Sequence, residues 1–362
     1  MRCAVYSPEW KKQGLGARGL RVLQVDSGRE WRGGQNQVRL LCREFHHTSA
    51  VEQLLLTRRT GELARRAAAE GTTVLGTAWE IALDPRAWWQ LRRTISSFQP
   101  DIIHAHDSHA LTLAATLAGS RTLIAARRVD FHVGRFGGWR RADRIIAVSD
   151  AAKQVLVGDG IAGDKITVVR DGIDPEEVRR ASLPPLDIRA QLGIPATAPL
   201  AVNAAALVAH KDHATLIQAA GHARALAPDL HWIIAGEGPL RAALAAQIAR
   251  LELGGYVHLL GWVDRIEALI AAASVFVMSS KQEGLGSVIL NALALGRPVV
   301  ATRAGGIPEI LPADVLVPPG AADAMAKRVV EMLHHPTPVA FPRRFSAHAM
   351  AHGVLAVYRA LL

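Results

Sequence analysis

Residues 279–302 read SSKQEGLGSVILNALALGRPVVAT. The run ASVFVM, residues 273–278, leads into them and is short, apolar and rich in β-branched and aromatic side chains, the mark of a buried strand. The polar loop that follows carries one carboxylate, Glu283, and two glycines, Gly284 and Gly286. From about Ser287 the apolar residues recur at helical spacing, until Gly296 and Pro298 end the helix and a second short strand begins. Strand, loop, helix and strand in this order describe one crossover of a parallel sheet. An acid beside bare backbone at a strand's carboxyl end has a chemical use. Glycines let the main chain come close to a ligand, free N–H groups at a helix start suit phosphate, and a carboxylate suits hydroxyls. Phosphate and polyol together describe a sugar nucleotide. Taken alone, the stretch also fits an ordinary strand-to-helix turn with a solvated glutamate.

The same unit recurs on both sides. LRVLQVDSG (residues 20–28) is the first clear strand, followed by WRGGQNQ (31–37) and a helical pattern through Val38, Leu41 and Phe45. VEQLLLT precedes GELARRAAAEG, DIIHAHD precedes SHALTLAATLAG, and ADRIIAVSD precedes AAKQVLVGDG. Near Asp174 the alternation stops in a proline-rich stretch, GIDPEE and SLPPLDIRAQLGIPATAP, which reads as a linker. It then restarts with LAVNAAAL, LHWIIAGEG, YVHLLGW, ASVFVMSS and RPVVATR, and the chain ends on a helical stretch, SAHAMAHGVLAVYRALL. The expected class is α/β, with two doubly wound parallel-sheet domains facing a cleft. Boundaries are placed at 1–20 for a flexible extension or an upstream start, 21–180 and 181–340 for the two domains, and 341–362 for a terminal helix that returns to the first domain. Ligands of such sheets bind beyond the carboxyl ends of the strands, so the loops there are where chemistry is expected.

Composition narrows the class further. The chain has 362 residues, half of them hydrophobic, and no apolar run reaches the ~18 residues of a membrane span. Two cysteines, Cys3 and Cys42, show no metal-ligand spacing and suit a reducing compartment. Net charge is +10, of which residues 1–180 hold +8 and the remainder +2. A basic first half suggests an anionic partner, though solubility accounts for it equally well. Nucleic acid is a poor candidate, because no stacking aromatics interleave the basic residues and no recognition motif is present.

In IIHAHDSHA, His104 and His106 fall on one face of a strand, with His106 nearest the following loop. A buried, hydrogen-bonded histidine suits His104 better. A metal cluster of His104, His106 and His109 is disfavoured, because strand geometry turns His109 away. Gly33 and Gly34 form a glycine-rich loop that could face a ligand. The chain contains no Asp-x-Asp, so no motif for a divalent ion on a diphosphate is visible, and no catalytic triad or carboxylate pair appears.

GSVILNALALGRPVVAT followed by AGGIPEI resembles the core of the retaining glycosyltransferase family four, and ALVAHKDHATLIQA, IIAGEGP, RADRIIAVSDAAKQVL, ITVVRDGID and DIIHAHDSHAL resemble its other segments in the expected order, over roughly residues 20–330. The resemblance implies the GT-B fold with Rossmann-like domains, and a bacterial cell-surface glycan or lipopolysaccharide role. It implies that Glu283 binds hydroxyls of the donor sugar, that the amides of Gly284, Leu285 and Gly286 approach the diphosphate, that Lys211 neutralises it, and that His106 is the active-site histidine. Gly33 and Gly34 are then expected beside the donor. Two positions depart from the pattern. Ala206 stands where the family carries an arginine, with Arg128 or Arg170 as substitutes, and Asn291 stands where it carries the acid that binds ribose. Restoring an acid at 291 is expected to tighten nucleotide binding.

The expected activity is transfer of a hexose from a nucleoside-diphosphate sugar, a UDP-sugar first, to a glycan or glycolipid such as lipopolysaccharide core or a lipid-linked oligosaccharide. Transfer is expected with retention and with neither metal nor other cofactor. A cytoplasmic location at the inner face of the membrane follows, with peripheral contact to anionic lipid. A sugar-nucleotide epimerase or hydrolase on the same fold, and a non-catalytic sugar-nucleotide binder, remain open.

Overall fold

The computed structural model describes residues 19–47, 51–134 and 137–362. The extension read at 1–20 falls, up to residue 18, outside them. The first domain is a seven-stranded sheet built from β1 (Leu20–Val25), β2 (Val51–Arg58), β3 (Val74–Thr77), β4 (Ile102–Ala105), β5 (Thr122–Arg127), β6 (Arg144–Ala147) and β7 (Ile166–Val168), in the order β3-β2-β1-β4-β5-β6-β7. The second has six strands, β8 (Leu200–Ala204), β9 (His231–Ala235), β10 (Val257–Gly261), β11 (Val275–Met278), β12 (Val299–Thr302) and β13 (Leu316–Val317), in the order β10-β9-β8-β11-β12-β13. Every pairing is parallel. Helices cover both faces of each sheet, so strands such as LAVNA, VFVM and VVAT are buried along their whole length.

Both sheets repeat one winding. The chain starts in the middle, runs to one edge, returns and runs to the other. The reversal leaves a crevice beyond the carboxyl ends of the two central strands, β1 and β4 in one sheet, β8 and β11 in the other. Residues 279–286 leave β11 at the second crevice, Lys211 follows β8, and His106 follows β4 at the first.

The terminal helix, Ala347–Arg359, does return to the first domain. Met350, Val354 and Tyr358 pack among Val22, Leu40, Phe45, Ile102, Ile124 and Ile146. Ile173 pairs with Ser346 where the chain crosses back. The proline-rich stretch read as a linker folds into two short helices, Pro175–Ala181 and Ile188–Leu192. Asp174 and Asp187 cap them, and Pro175 opens the first, a position where proline's missing N–H costs nothing. Elements that add to those read from the sequence include β3, β5, β7, β13 and the helices Pro85–Phe98 and Ala322–His334. In β3, four residues with Gly76 inside leave no alternation to read.

Candidate active site

The loop after β11 is tied to the turn after β8. Ser279 Oγ donates to the Lys211 carbonyl at 2.9 Å, the Lys281 N–H to the His210 carbonyl at 2.8 Å, and Thr302 Oγ1 to the Ser280 carbonyl at 2.6 Å. These bonds bring Lys211 Nζ onto Glu283 Oε2, an ion pair whose side chains are only 16% and 12% exposed. Ser280 Oγ donates to the same carboxylate oxygen at 3.3 Å. Asp212, at φ 49°, turns the chain so that Lys211 faces the loop while its own carboxylate takes Thr215 and Lys281.

The next residues form the seam with the first domain. The Glu283 N–H donates to Asp130 Oδ2 at 2.9 Å, and Ser149 Oγ donates to the Gly284 carbonyl at 2.6 Å. A Cβ on Gly284 would lie 2.1 Å from the Arg128 carbonyl oxygen, so only glycine lets the two backbones meet there. The Gly306 N–H donates to the Glu283 carbonyl at 3.0 Å and fixes the loop from below. Gly286 has φ 86°, a conformation that L side chains resist. Leu285 is buried, so its side chain belongs to the core. The N–H groups of Gly284, Leu285, Gly286 and Ser287 have no acceptor among the described residues. They precede the short helix Val288–Ala294.

Across the cleft stands the start of a longer helix, Gly33–His46. The two glycines are thus the first turn of that helix and not a separate loop. A Cβ on Gly33 would stand 3.6 Å from Ser287 Oγ, and one on Gly34 would meet nothing within 4 Å. Arg32 precedes the helix and is close enough to act on His210, whose pKa is held low by burial, by Lys211 and, more weakly, by Arg32. Sequence reading did not single out Arg32, because only the fold brings residues 32 and 210 together. The two arginines weighed as substitutes for Ala206 are otherwise engaged. Arg170 lies between Glu309 at 2.6 Å and Asp150 at 2.7 Å, and Glu309 also accepts the Asp150 N–H at 2.8 Å. Arg128 lies between Asp171, at 3.3 Å, and His106.

His106 sits on the floor of the first crevice, 6% exposed. Its Nε2 meets Gln24 Oε1 at 2.7 Å, so Nε2 carries the proton; Nδ1 faces the Arg128 guanidinium at 3.4 Å. Gln24 Nε2 donates onward to the Tyr358 hydroxyl at 3.3 Å, which is hydrogen-bonded to His104 Nδ1 at 2.7 Å. The two rings stand with centroids 4.1 Å apart. Burial pushes both imidazoles well below their ordinary pKa, with His104 and Arg128 adding to the effect at His106 and Arg128 at His104. Both are neutral at physiological pH. Arg128 links this floor to the seam, since its side chain reaches His106 and its carbonyl meets Gly284. Among the described residues no group of three His, Cys, Asp or Glu side chains is arranged to hold a metal ion. Asp26, beside the floor, is raised to about 7 by burial and by Asp107.

Asn291 faces the neighbouring helix. Its Nδ2 donates to Glu267 Oε1 at 3.4 Å, on the neighbouring helix Ile266–Ala271. Burial raises the Glu267 pKa, with Glu177 adding to it and Arg66 and Arg39 opposing. The carboxylate missing at 291 is therefore present beside it, supplied by a residue 24 positions earlier.

Known proteins share this fold and sequence pattern. The profile of glycosyltransferase family 4 matches residues 31–177, and that of glycosyl transferases group 1 matches residues 186–351. The chain is 27% identical to the lipopolysaccharide core biosynthesis glycosyltransferase LpsD of Rhizobium meliloti over 79% of each chain. It is 28% identical to the 2-deoxystreptamine glucosyltransferase of Streptomyces kanamyceticus over 62% of each. Thus it spans less than two thirds of the latter relative. HepE of Anabaena, solved with UDP and glucose, superposes with a TM-score of 0.81 at 20% identity, over 94% of this chain and 100% of HepE. With one profile on each domain and the same double winding in both, the chain belongs to the glycosyltransferases of family 4 and group 1, with the GT-B fold.

Proposed function

We propose that the protein transfers a hexose from a nucleoside-diphosphate sugar, a UDP-sugar, to a glycan or glycolipid acceptor of lipopolysaccharide-core or lipid-linked type. The observation that supports this most is the Lys211–Glu283 pair beside four backbone N–H groups without acceptors among the described residues, at the crevice of the second sheet. A diphosphate takes the N–H groups and Lys211, and Glu283, released from the lysine, accepts the sugar hydroxyls. Charge then builds on the leaving diphosphate where donors already point, the arrangement that lowers a transfer barrier most. Neutral His106, with Gln24 fixing its proton on Nε2, stands below and is joined to the seam through Arg128. The first domain receives the acceptor. Retention proceeds by front-face attack within an ion pair, the carboxylate next to Glu283, that of Asp130, being taken up at the seam by the Glu283 N–H.

Lys211, Arg32 and the N–H groups neutralise the diphosphate without a divalent ion. Activity is therefore expected to survive excess EDTA. Complete loss restored by Mg²⁺ or Mn²⁺ would contradict this. The experiment that tests the whole proposal is incubation with a panel of labelled sugar nucleotides, read as donor turnover. An epimerase or hydrolase would yield a changed or free sugar without an acceptor, and a non-catalytic binder would yield no product.

Glu267 changes the expectation at Asn291. A second acid there would face the Glu267 carboxylate within hydrogen-bonding distance, and like charges so close disfavour ionisation of both. Asn291→Glu is expected to weaken nucleoside-diphosphate binding about tenfold, and Glu267→Gln in the same chain to restore it, by isothermal titration. Tightening by the single substitution would show that Glu267 does not serve the nucleotide.

A further inference from the structure

Among the described residues ten large hydrophobic side chains are substantially exposed, and three of them fall within nine positions: Ile81 at 62%, Leu83 at 53% and Trp89 at 56%. They belong to the segment that leaves the carboxyl end of β3 and enters the helix Pro85–Phe98. The segment is held firmly. Trp79 is fully buried, the Glu80 N–H donates to Asp84 Oδ2 at 2.8 Å, and Asp84 caps the helix by accepting the Arg86 N–H at 2.9 Å. Burying a tryptophan and capping a helix fix the backbone, so Ile81 and Leu83 are presented to solvent by a rigid turn.

The surroundings are cationic. Arg93 lies over the Trp89 ring at 5.4 Å and Arg92 over Trp88 at 5.5 Å. Arg59, Arg92 and Arg93 have no carboxylate partner among the described residues, whereas the two nearby acids are paired, Asp84 with Arg86 and Glu80 with Arg29. Arg59, Thr77, Pro85, Arg86 and Trp89 line an open groove of about 460 Å³ beside the turn. Apolar tips set among unpaired arginines, with indoles between them, match an anionic lipid surface: hydrocarbon for Ile81 and Leu83, the headgroup layer for the indoles, phosphate for the guanidinium groups. The position fits as well. β3 is the edge strand of the first sheet, the patch lies on the same carboxyl rim as the cleft, and Arg29, four residues before Gly33, donates to the Glu80 carbonyl at 2.7 Å.

We propose that Ile81, Leu83 and Trp89, with Arg59, Arg92 and Arg93, form the surface by which the first domain docks on an anionic membrane, so that a lipid-borne acceptor meets the cleft at its mouth. This rests on the proposed membrane-borne acceptor but not on the donor chemistry. The test is co-sedimentation of the full chain with vesicles of phosphatidylglycerol and phosphatidylcholine, or of phosphatidylcholine alone. Wild type is expected to pellet with the anionic vesicles and to be released as salt rises. Ile81→Ser/Leu83→Ser/Trp89→Ser, and separately Arg92→Ser/Arg93→Ser, should each weaken binding at least about tenfold. UDP binding, titrated in the same samples, should stay within about twofold, so that loss of membrane docking and failure of the donor site read out separately. Wild-type binding by either variant, equal binding to both vesicle types, or no binding by wild type overturns the proposal. So does a wild-type dimer that the triple variant abolishes, since the patch would then be covered by a second copy of the chain.

Discussion

Glu283→Gln is expected to lower kcat/KM by about 10²-fold or more, the scale of losing one contact made in the transition state. The substitution keeps the shape and removes the charge. In the wild type the carboxylate is held by Lys211 and Ser280, and its backbone N–H by Asp130, so the side chain is aimed before any ligand arrives. Glutamine can still accept one hydrogen bond but answers the sugar hydroxyls with a neutral oxygen, and charge-assisted bonds are about twice as strong. Nucleoside-diphosphate affinity should hold or tighten, because Lys211 no longer shares its charge with an internal partner. Lower turnover with retained or improved nucleotide binding separates this account from general damage to the site. Near wild-type turnover in the folded variant would remove Glu283 from the chemistry.

Gly284→Ala is expected to cost a similar factor by another route. The new methyl would lie 2.1 Å from the Arg128 carbonyl oxygen, well inside van der Waals contact and against backbone that no side-chain rotation can move. Either the loop shifts or the domains separate, and the bonds from Asp130 to Glu283 and from Ser149 to Gly284 lengthen with them. Misplacing reacting groups by about 1 Å can cost about 10²-fold in rate. Small-angle scattering should show a larger radius of gyration, while nucleotide binding to the second domain persists. Gly34→Ala is the matched control for sterics, since nothing lies within 4 Å of the added atom. Its fold should be unchanged and its stability raised by about 0.5–1 kcal/mol, the usual gain of alanine over glycine within a helix. Activity lost there without loss of stability would report a ligand against the helix start. An unchanged scattering profile and full activity in Gly284→Ala would show that the seam does not matter.

The two sheets were legible because their central strands are short apolar runs that stop at glycine and polar residues, and because each is followed by a helical period. The site was legible in part for the same reason. Lys211 and Glu283 both sit just past such runs, and parallel sheets bring those positions together. What escaped reading depends on partners far apart in the chain. Asn291 looks like a lost acid until the fold sets Glu267 beside it. Arg170 looks like a spare cation until Glu309, 139 positions later, takes it. His104 bonds through Nδ1 to Tyr358, 254 positions away on the returning helix. The stretch 174–192 failed differently: its prolines read as chain breaks, yet Pro175 at a helix start is favourable and Asp174 before it supplies the cap.

The central claim is that the Lys211–Glu283 crevice holds the diphosphate and sugar of a nucleotide donor. Titration calorimetry of the full chain against a panel of nucleoside-diphosphate sugars, in excess EDTA, tests it most directly. The account predicts that at least one binds, a UDP-sugar first, and that Lys211→Met weakens it at least about tenfold, as expected for a charge-assisted bond lost from a largely buried site. Binding of none of them by the folded wild type, or equal binding by wild type and Lys211→Met, would contradict it.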